Sequence, residues 1–311
     1  MSPKQPPDLS RTIDLVRSFL LPALLGVAGA WPVVAAAAGL PPLVEPASQE
    51  HHAGKVILVE LVTPDLAAAE RFYGGLFGWT FRDIQTDGVT YANASLDGRS
   101  VAGLVHKDMP AGRQLQPVWL SFFAVRNVDA VRKTALERGG KMLFAPHSIA
   151  GRGREAVFAD PQGAVFGVLA SSSGDPADDL AASGEWIWSS LITSDPEMGA
   201  AFYQALFDYD VFDLPADEGA EHLLLASDDY ARASANSLPP NRPNAHPAWL
   251  NYVRVDNMAA TVTRLVALGG RVLVEPRLDR HGGQIAVVAD PLGAPFGLLE
   301  WLDTQSKEVT K

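Results

Sequence analysis

The chain has 311 residues, 47% hydrophobic and 20% charged, with a formal net charge of −11 and no cysteine. That length holds two ordinary domains with cores of their own. The acidic balance argues against binding nucleic acid or anionic lipid, and the lack of cysteine excludes thiolate catalysis, disulfides, iron–sulfur clusters and cysteine-ligated zinc.

Residues 1–38 read as a leader. Lys4, Arg11 and Arg17 precede a run without charge from Ser18 to Ala38, and small residues follow at Ala35 to Gly39. This pattern fits an export signal cut near Ala36 to Ala38, which would place the protein in the periplasm or outside the cell. The alternative is an uncut membrane anchor, since the run is about long enough to span. Pro22 and Pro32 weaken a regular spanning helix. Residues 39–53 are expected to form a flexible segment.

From residue 54 the elements follow in order. KVILVELV is a strand. Thr63-Pro64-Asp65 supplies a turn and a helix N-cap, and Leu66, Ala69, Phe72, Tyr73 and Leu76 follow at helical spacing. WTFRDI, VTYANASL and SVAGLVHK are strands joined by turns at Asp87-Gly88 and Asp97-Gly98. The pattern then restarts. VWLSFFAV is a strand, VDAVRKTALERGG is a helix with a glycine stop, and KMLFAP, EAVFAD and AVFGVLA are strands. The order βαβββ thus occurs twice within residues 54–170.

Residues 171–184, rich in Ser, Gly and Asp, read as a linker. Residues 185–302 then repeat the first copy, and 303–311 form a tail. Phe72-Tyr73 returns as Phe202-Tyr203, 130 positions later, and the same shift maps Trp119-Leu120 onto Trp249-Leu250. DPQGAVFG at Asp160 to Gly167 becomes DPLGAPFG at Asp290 to Gly297. The fold class is therefore α+β, with four βαβββ modules in two tandem copies. Two such modules side by side make a curved-sheet cup whose concave face is the natural ligand site.

The stretches VTPDLAAAERFYGGLFGW and WLSFFAVRNVDAV, with the two DPxGAxFG phrases, resemble the vicinal oxygen chelate superfamily, the glyoxalase, bleomycin-resistance and dioxygenase group. The resemblance implies a divalent metal in the cup of members that do chemistry, held by His, Glu or Gln on first and last strands. It places first-strand ligands at Leu58 and Trp188, and at Leu120 and Leu250 in the later modules. Last-strand ligands fall at Gly167 and Gly297, and near Gly103 and Ala233. None of these side chains can ligate a metal, so no cofactor is expected. His147 and His281 could rim a cup; no local histidine pair is visible.

Strand alternation then assigns cup-facing residues. Leu58 brings Val56 and Glu60, with Ile57 in the opposite core; Leu120 brings Phe122. Trp188 brings Trp186 and Ser190, and Leu250 brings Tyr252. With Gly167 and Gly297 leaving room, these are the candidate ligand contacts, and they suit a flat, apolar ligand held by stacking. Glu60, with Tyr91 as neighbour, is the candidate acid–base residue. The plainer reading is a rim glutamate paired with Arg99, Arg152 or Arg154. Three functions stay open: metal-free binding of a small, partly aromatic molecule, as in resistance by sequestration; a lyase, isomerase or dioxygenase; and a structural or protein-interaction module with filled cups. The expected partner is a small molecule rather than nucleic acid, with a membrane only if the leader is uncut and a homodimer possible.

Overall fold

The computed structural model describes residues 39–86, 89–108, 117–214, 222–239, 245–279 and 282–301. The leader, the Asp87-Gly88 turn, His281 and the C-terminal tail lie outside the described residues. The first copy runs β1 (Val56–Thr63), α1 (Leu66–Phe77), β2 (Thr80–Thr86), β3 (Val89–Leu96), β4 (Arg99–His106), β5 (Val118–Ala124), α2 (Val128–Glu137), β6 (Lys141–Ile149), β7 (Gly153–Ala159) and β8 (Val165–Ser171). The second runs β9 (Trp186–Thr193), α3 (Pro196–Phe207), β10 (Asp210–Asp213), β11 (His222–Ser227), β12 (Tyr230–Ser237), β13 (Ala248–Val255), α4 (Met258–Ala267), β14 (Arg271–Leu278), β15 (Gln284–Ala289) and β16 (Pro295–Glu300). Each helix starts on a side-chain cap. Asp65, Asn127, Asp195 and Asn257 accept from the N–H three residues on, at Ala68, Ala130, Met198 and Ala260.

Each copy closes into one eight-stranded sheet, in the orders β2-β3-β4-β1-β5-β8-β7-β6 and β10-β11-β12-β9-β13-β16-β15-β14. The two modules of a copy join along β1–β5, or β9–β13, both antiparallel. The cups therefore form within each copy.

The helix-bearing convex faces pack against each other. Phe72, Tyr73 and Leu76 of α1 share a core with Leu265, Phe296 and Leu298 of the second copy. Phe123, Phe158 and Phe166 share another with Phe202, Tyr203 and Phe207. The repeated phrases meet here. Tyr73 donates to Asp290 at 3.2 Å, and Tyr203 donates to Asp160 at 3.1 Å. Each phenol accepts a tryptophan N–H at 2.9 Å, from Trp119 and Trp249 respectively. Each aspartate also turns its own loop, since Oδ1 of Asp160 accepts from the N–H groups of Gln162, Gly163 and Ala164. Oδ1 of Asp290 does the same for Leu292, Gly293 and Ala294. Phe-Tyr and Asp-Pro-x-Gly recur because each copy supplies a phenol to the other's buried carboxylate.

Two expectations change here. The stretch 171–178 is packed: Ser173 and Asp175 are buried. Residues 39–53 do not read as a free connector, because Leu40 is buried and the segment runs across the first cup. The physical reason is apolar content: Leu40 and Leu43 find hydrocarbon partners there.

Candidate functional site

On β1, Val59 and Leu61 enter the core between the copies, which leaves Leu58 and Glu60 on the concave face. On β5, Leu120 and Phe122 are concave and Trp119 and Phe123 convex. The alternation fails at the start of both first strands. The register shifts between Val56 and Leu58, and again opposite Trp186. A bulge inserts one residue and reverses the facing of what precedes it. Val56 and Trp186 therefore point to the convex side, while Ile57 joins the cup cluster. Trp186 packs on Trp119 and Trp79, with centroids at 4.9 and 5.9 Å, and donates to the Val101 carbonyl at 2.9 Å. It ties the copies together and is no cup residue.

Glycine ends the DPxGAxFG phrases because aromatic rings cross them. A Cβ on Gly167 would stand 2.3 Å from Phe122, and one on Gly297 would stand 1.9 Å from Tyr252. On Gly103 it would meet the Tyr91 hydroxyl at 2.1 Å. In the second copy the counterpart of Gly103 is Ser234 rather than Ala233. Glu60 pairs with Gly103 and Ser190 pairs with Ser234, so β12 is one residue out of the 130-residue shift.

The first cup, cup 1, holds a buried polar cluster. Tyr91 donates to Glu60 Oε1 at 3.2 Å and accepts from Arg152 Nη2 at 3.1 Å. Burial pushes the Glu60 carboxyl upward, opposed by the Arg152 charge and the Tyr91 bond. Glu155 on β7 is pushed up to about 8 by burial and by repulsion from Glu60, against attraction to Arg152. Glu60 is therefore buried rather than at the rim. Of the three arginines proposed beside it, only Arg152 is there: Arg99 pairs with Glu185 at 2.7 Å, and Arg154 with Asp129 at 3.0 Å. Glu155 was missed, although alternation along EAVFAD pairs it with Val157. His147 reaches it at 3.5 Å.

The second cup, cup 2, is organised around hydroxyls. Ser190 and Ser234 bond each other at 2.8 Å, and Ser234 accepts from Trp188 Nε1 and Asn236 Nδ2, each at 3.1 Å. Tyr252 bonds Ser190, and burial pushes its phenol up to about 12. Asn236 bonds His222 in turn. Around this chain Trp188, Leu224, Leu250, Ile285 and Val287 are only partly buried, whereas Leu58, Leu120 and Phe122 of cup 1 are buried. Among the described residues, cup 2 is less covered than cup 1.

A profile of the Glyoxalase/Bleomycin resistance protein/Dioxygenase superfamily matches residues 51–168, and a Glyoxalase-like domain profile matches residues 189–299. The chain belongs to this glyoxalase superfamily. CFP32 of Mycobacterium tuberculosis (strain CDC 1551 / Oshkosh), whose name calls it a glyoxylase, is 31% identical over 257 residues, covering 82% of this chain and 98% of that protein. The anthracycline biosynthesis protein DauV of Streptomyces sp. (strain C5) is 33% identical over 256 residues, covering 78% and 91%. The Mn(II)-bound glyoxalase of Novosphingobium aromaticivorans superposes with a TM-score of 0.57 at 19% identity, covering 81% of this chain and 84% of its own. A variant of homoprotocatechuate 2,3-dioxygenase from B. fuscum gives 0.57 at 14%, covering 83% and 74%.

The glyoxalase superfamily implies a cup metal, and the side chains of this member do not fit one. Where the ligand strands converge stand Leu58, Leu120, Gly103 and Gly167 in cup 1. In cup 2 stand Trp188, Leu250, Ser234 and Gly297. The space of a last-strand carboxylate is taken by Tyr91, Phe122 or Tyr252, or reduced to the Ser234 hydroxyl. Among the described residues no group of three or more His, Asp or Glu could hold a metal ion.

Proposed function

We propose that this member of the glyoxalase superfamily is an exported protein that binds a small, flat, partly aromatic molecule in cup 2, without a metal, in a sequestering or resistance role. The observation that carries the reading is the partly exposed Trp188 beside Leu224 and Leu250, with the buried Ser190–Ser234–Tyr252 hydroxyls at its edge. An aromatic face with few polar groups binds a planar ring system by stacking and orients its oxygens by hydrogen bonds. DauV is named for anthracycline biosynthesis, which concerns fused-ring aromatic compounds and supports this ligand class.

Anthraquinone-2-sulfonate is a suitable probe. It should raise the thermal midpoint, because a ligand of the folded state stabilises it, by about 2.7 kcal/mol at a hundredfold excess over Kd. Trp188→Ala should weaken binding at least tenfold. Dialysis against a chelator should change nothing. No shift with any fused-ring aromatic compound, or binding restored only by added divalent metal, would overturn the reading. Export predicts a mature N-terminus near Gly39, which mass spectrometry of protein from the native host will read.

A second reading rests on cup 1. Tyr91 bonded to Glu60, with the Glu155 carboxyl also held toward its neutral form, is a proton-transfer unit suited to lyase or isomerase chemistry. Glu60→Gln would remove turnover if that reading holds.

A further inference from the structure

Cup 1 has an occupant from its own chain. Leu40 is buried with Ile84, Tyr91, Val105 and Ile149 around it, and Leu43 packs against the cluster of Leu58, Leu120, Phe122 and Leu169. The backbone follows the cup rim closely. A Cβ on Gly151 would come within 2.1 Å of the Leu40 carbonyl, and Gly151 has a φ of 80°. The polar ties of this strap are few, and they run to the stretch between the copies. Ser173 Oγ accepts from the N–H groups of Leu43 and Val44 at 3.0 and 3.2 Å, and the Ser173 carbonyl accepts from Ser48 at 2.8 Å. The Glu50 carbonyl accepts from Asp175 N–H at 3.1 Å.

The strap leaves one demand unmet. Arg152 is 1% exposed, and among the described residues its Nε and Nη1 have no hydrogen-bond partner, while Nη2 donates to Tyr91. A buried donor without an acceptor keeps the cost of leaving water, and a charged group more so. Leu40 and Leu43 bring hydrocarbon to this cup and no acceptor for the guanidinium. Burial pushes the Glu60 and Glu155 carboxyls upward, against the attraction of Arg152. The second copy has Gly282 at the corresponding position of the 130-residue shift, so this charge belongs to cup 1 alone.

We propose that residues 39–50 are a displaceable internal occupant of cup 1. The ligand that displaces them is a small molecule with an apolar body and an acceptor oxygen, carbonyl, carboxylate or sulfonate, which Arg152 takes. The apolar body replaces the side chains of Leu40 and Leu43. The oxygen takes one of the free donors, Nε or Nη1, in a charge-assisted bond. Such a ligand binds with its intrinsic affinity multiplied by the fraction of chains whose strap is undocked.

The probe is 8-anilinonaphthalene-1-sulfonate, measured by fluorescence and by stoichiometry in the full-length chain carrying Trp188→Ala, so that cup 2 does not contribute. Adding Leu40→Ser with Leu43→Ser should open one site per chain. A peptide of residues 39–50, GLPPLVEPASQE, added in trans should displace the dye. Arg152→Gln should weaken the new site at least tenfold. If Arg152→Gln fails to fold, the uncharged analogue N-phenyl-1-naphthylamine replaces that arm and should bind at least tenfold less tightly than the sulfonate. A strap-substituted protein that unfolds cooperatively yet gains no site overturns the proposal. So does a new site that the peptide does not contest, or one that takes the uncharged analogue equally well. Failure of the cup 2 reading shows separately, as anthraquinone-2-sulfonate binding that Trp188→Ala leaves unchanged.

Discussion

Glu155 combines full burial with a neighbouring carboxyl, and its chemistry is visible in stability. Its folded-state value of about 8 lies above the ordinary 4.5. Below pH 4.5 it is protonated in folded and unfolded chains alike. Between 4.5 and 8 the unfolded chain releases its proton while the folded chain keeps it, so stability falls as pH rises, and the loss is complete above 8. Glu155→Gln never ionises. Its advantage over the parent chain should be absent near pH 4 and should grow to about 1–4 kcal/mol by pH 9, read from urea denaturation at a series of pH values. Gly297 is constrained by volume instead. Gly297→Ala would drive a methyl group into the Tyr252 ring, so a loss of about 1–3 kcal/mol and weaker ligand binding in cup 2 are expected by thermal melting and titration.

At the level of elements, α1 and α3 each send a phenol across to the opposite copy. Removing the Tyr73 hydroxyl strips Trp119 Nε1 of its acceptor and Asp290 Oδ2 of its donor, both in buried surroundings. Tyr73→Phe and Tyr203→Phe should each cost about 1–3 kcal/mol by chemical denaturation. The two clusters share no hydrogen-bond partner, so the double variant should lose roughly the sum. The bulges of β1 and β9 act at the same level. One inserted residue sends Trp186 into the contact between copies and keeps Trp188 for the cup.

Across the whole molecule, duplication has left one scaffold with two different cups. Both convex faces are spent on the contact between copies, which leaves the concave faces for ligands. Cup 1 keeps Glu60, Tyr91, Arg152 and Glu155 beneath a strap, while cup 2 keeps a partly exposed Trp188 beside the buried hydroxyls of Ser190, Ser234 and Tyr252. A single copy, residues 54–170, would expose Phe123, Phe158, Phe166, Phe72 and Tyr73 to water. It should therefore self-associate, and light scattering with size-exclusion chromatography will detect that. A monodisperse, cooperatively folding monomer would show that the contact between copies is dispensable.

The four modules, their order and the strand that carries each cup residue were legible in the chain, because period-two and helical spacing and a 130-residue repeat are local properties. That Leu58, Leu120, Gly167 and Gly297 carry no metal-ligating side chain is read from residue type alone. Strand alternation alone assigns Trp186 to the wrong face, and Ser234 and Glu155 are not singled out. A bulge, a one-residue slip of register and a buried charge cluster depend on which strands pair and what covers them. The partner of Asp160 is Tyr203, on the other copy, and the cover of cup 1 is a proline-rich stretch that alone resembles a connector. Those contacts join residues far apart in the chain, and their energy comes from excluding water between surfaces that no local spacing brings together.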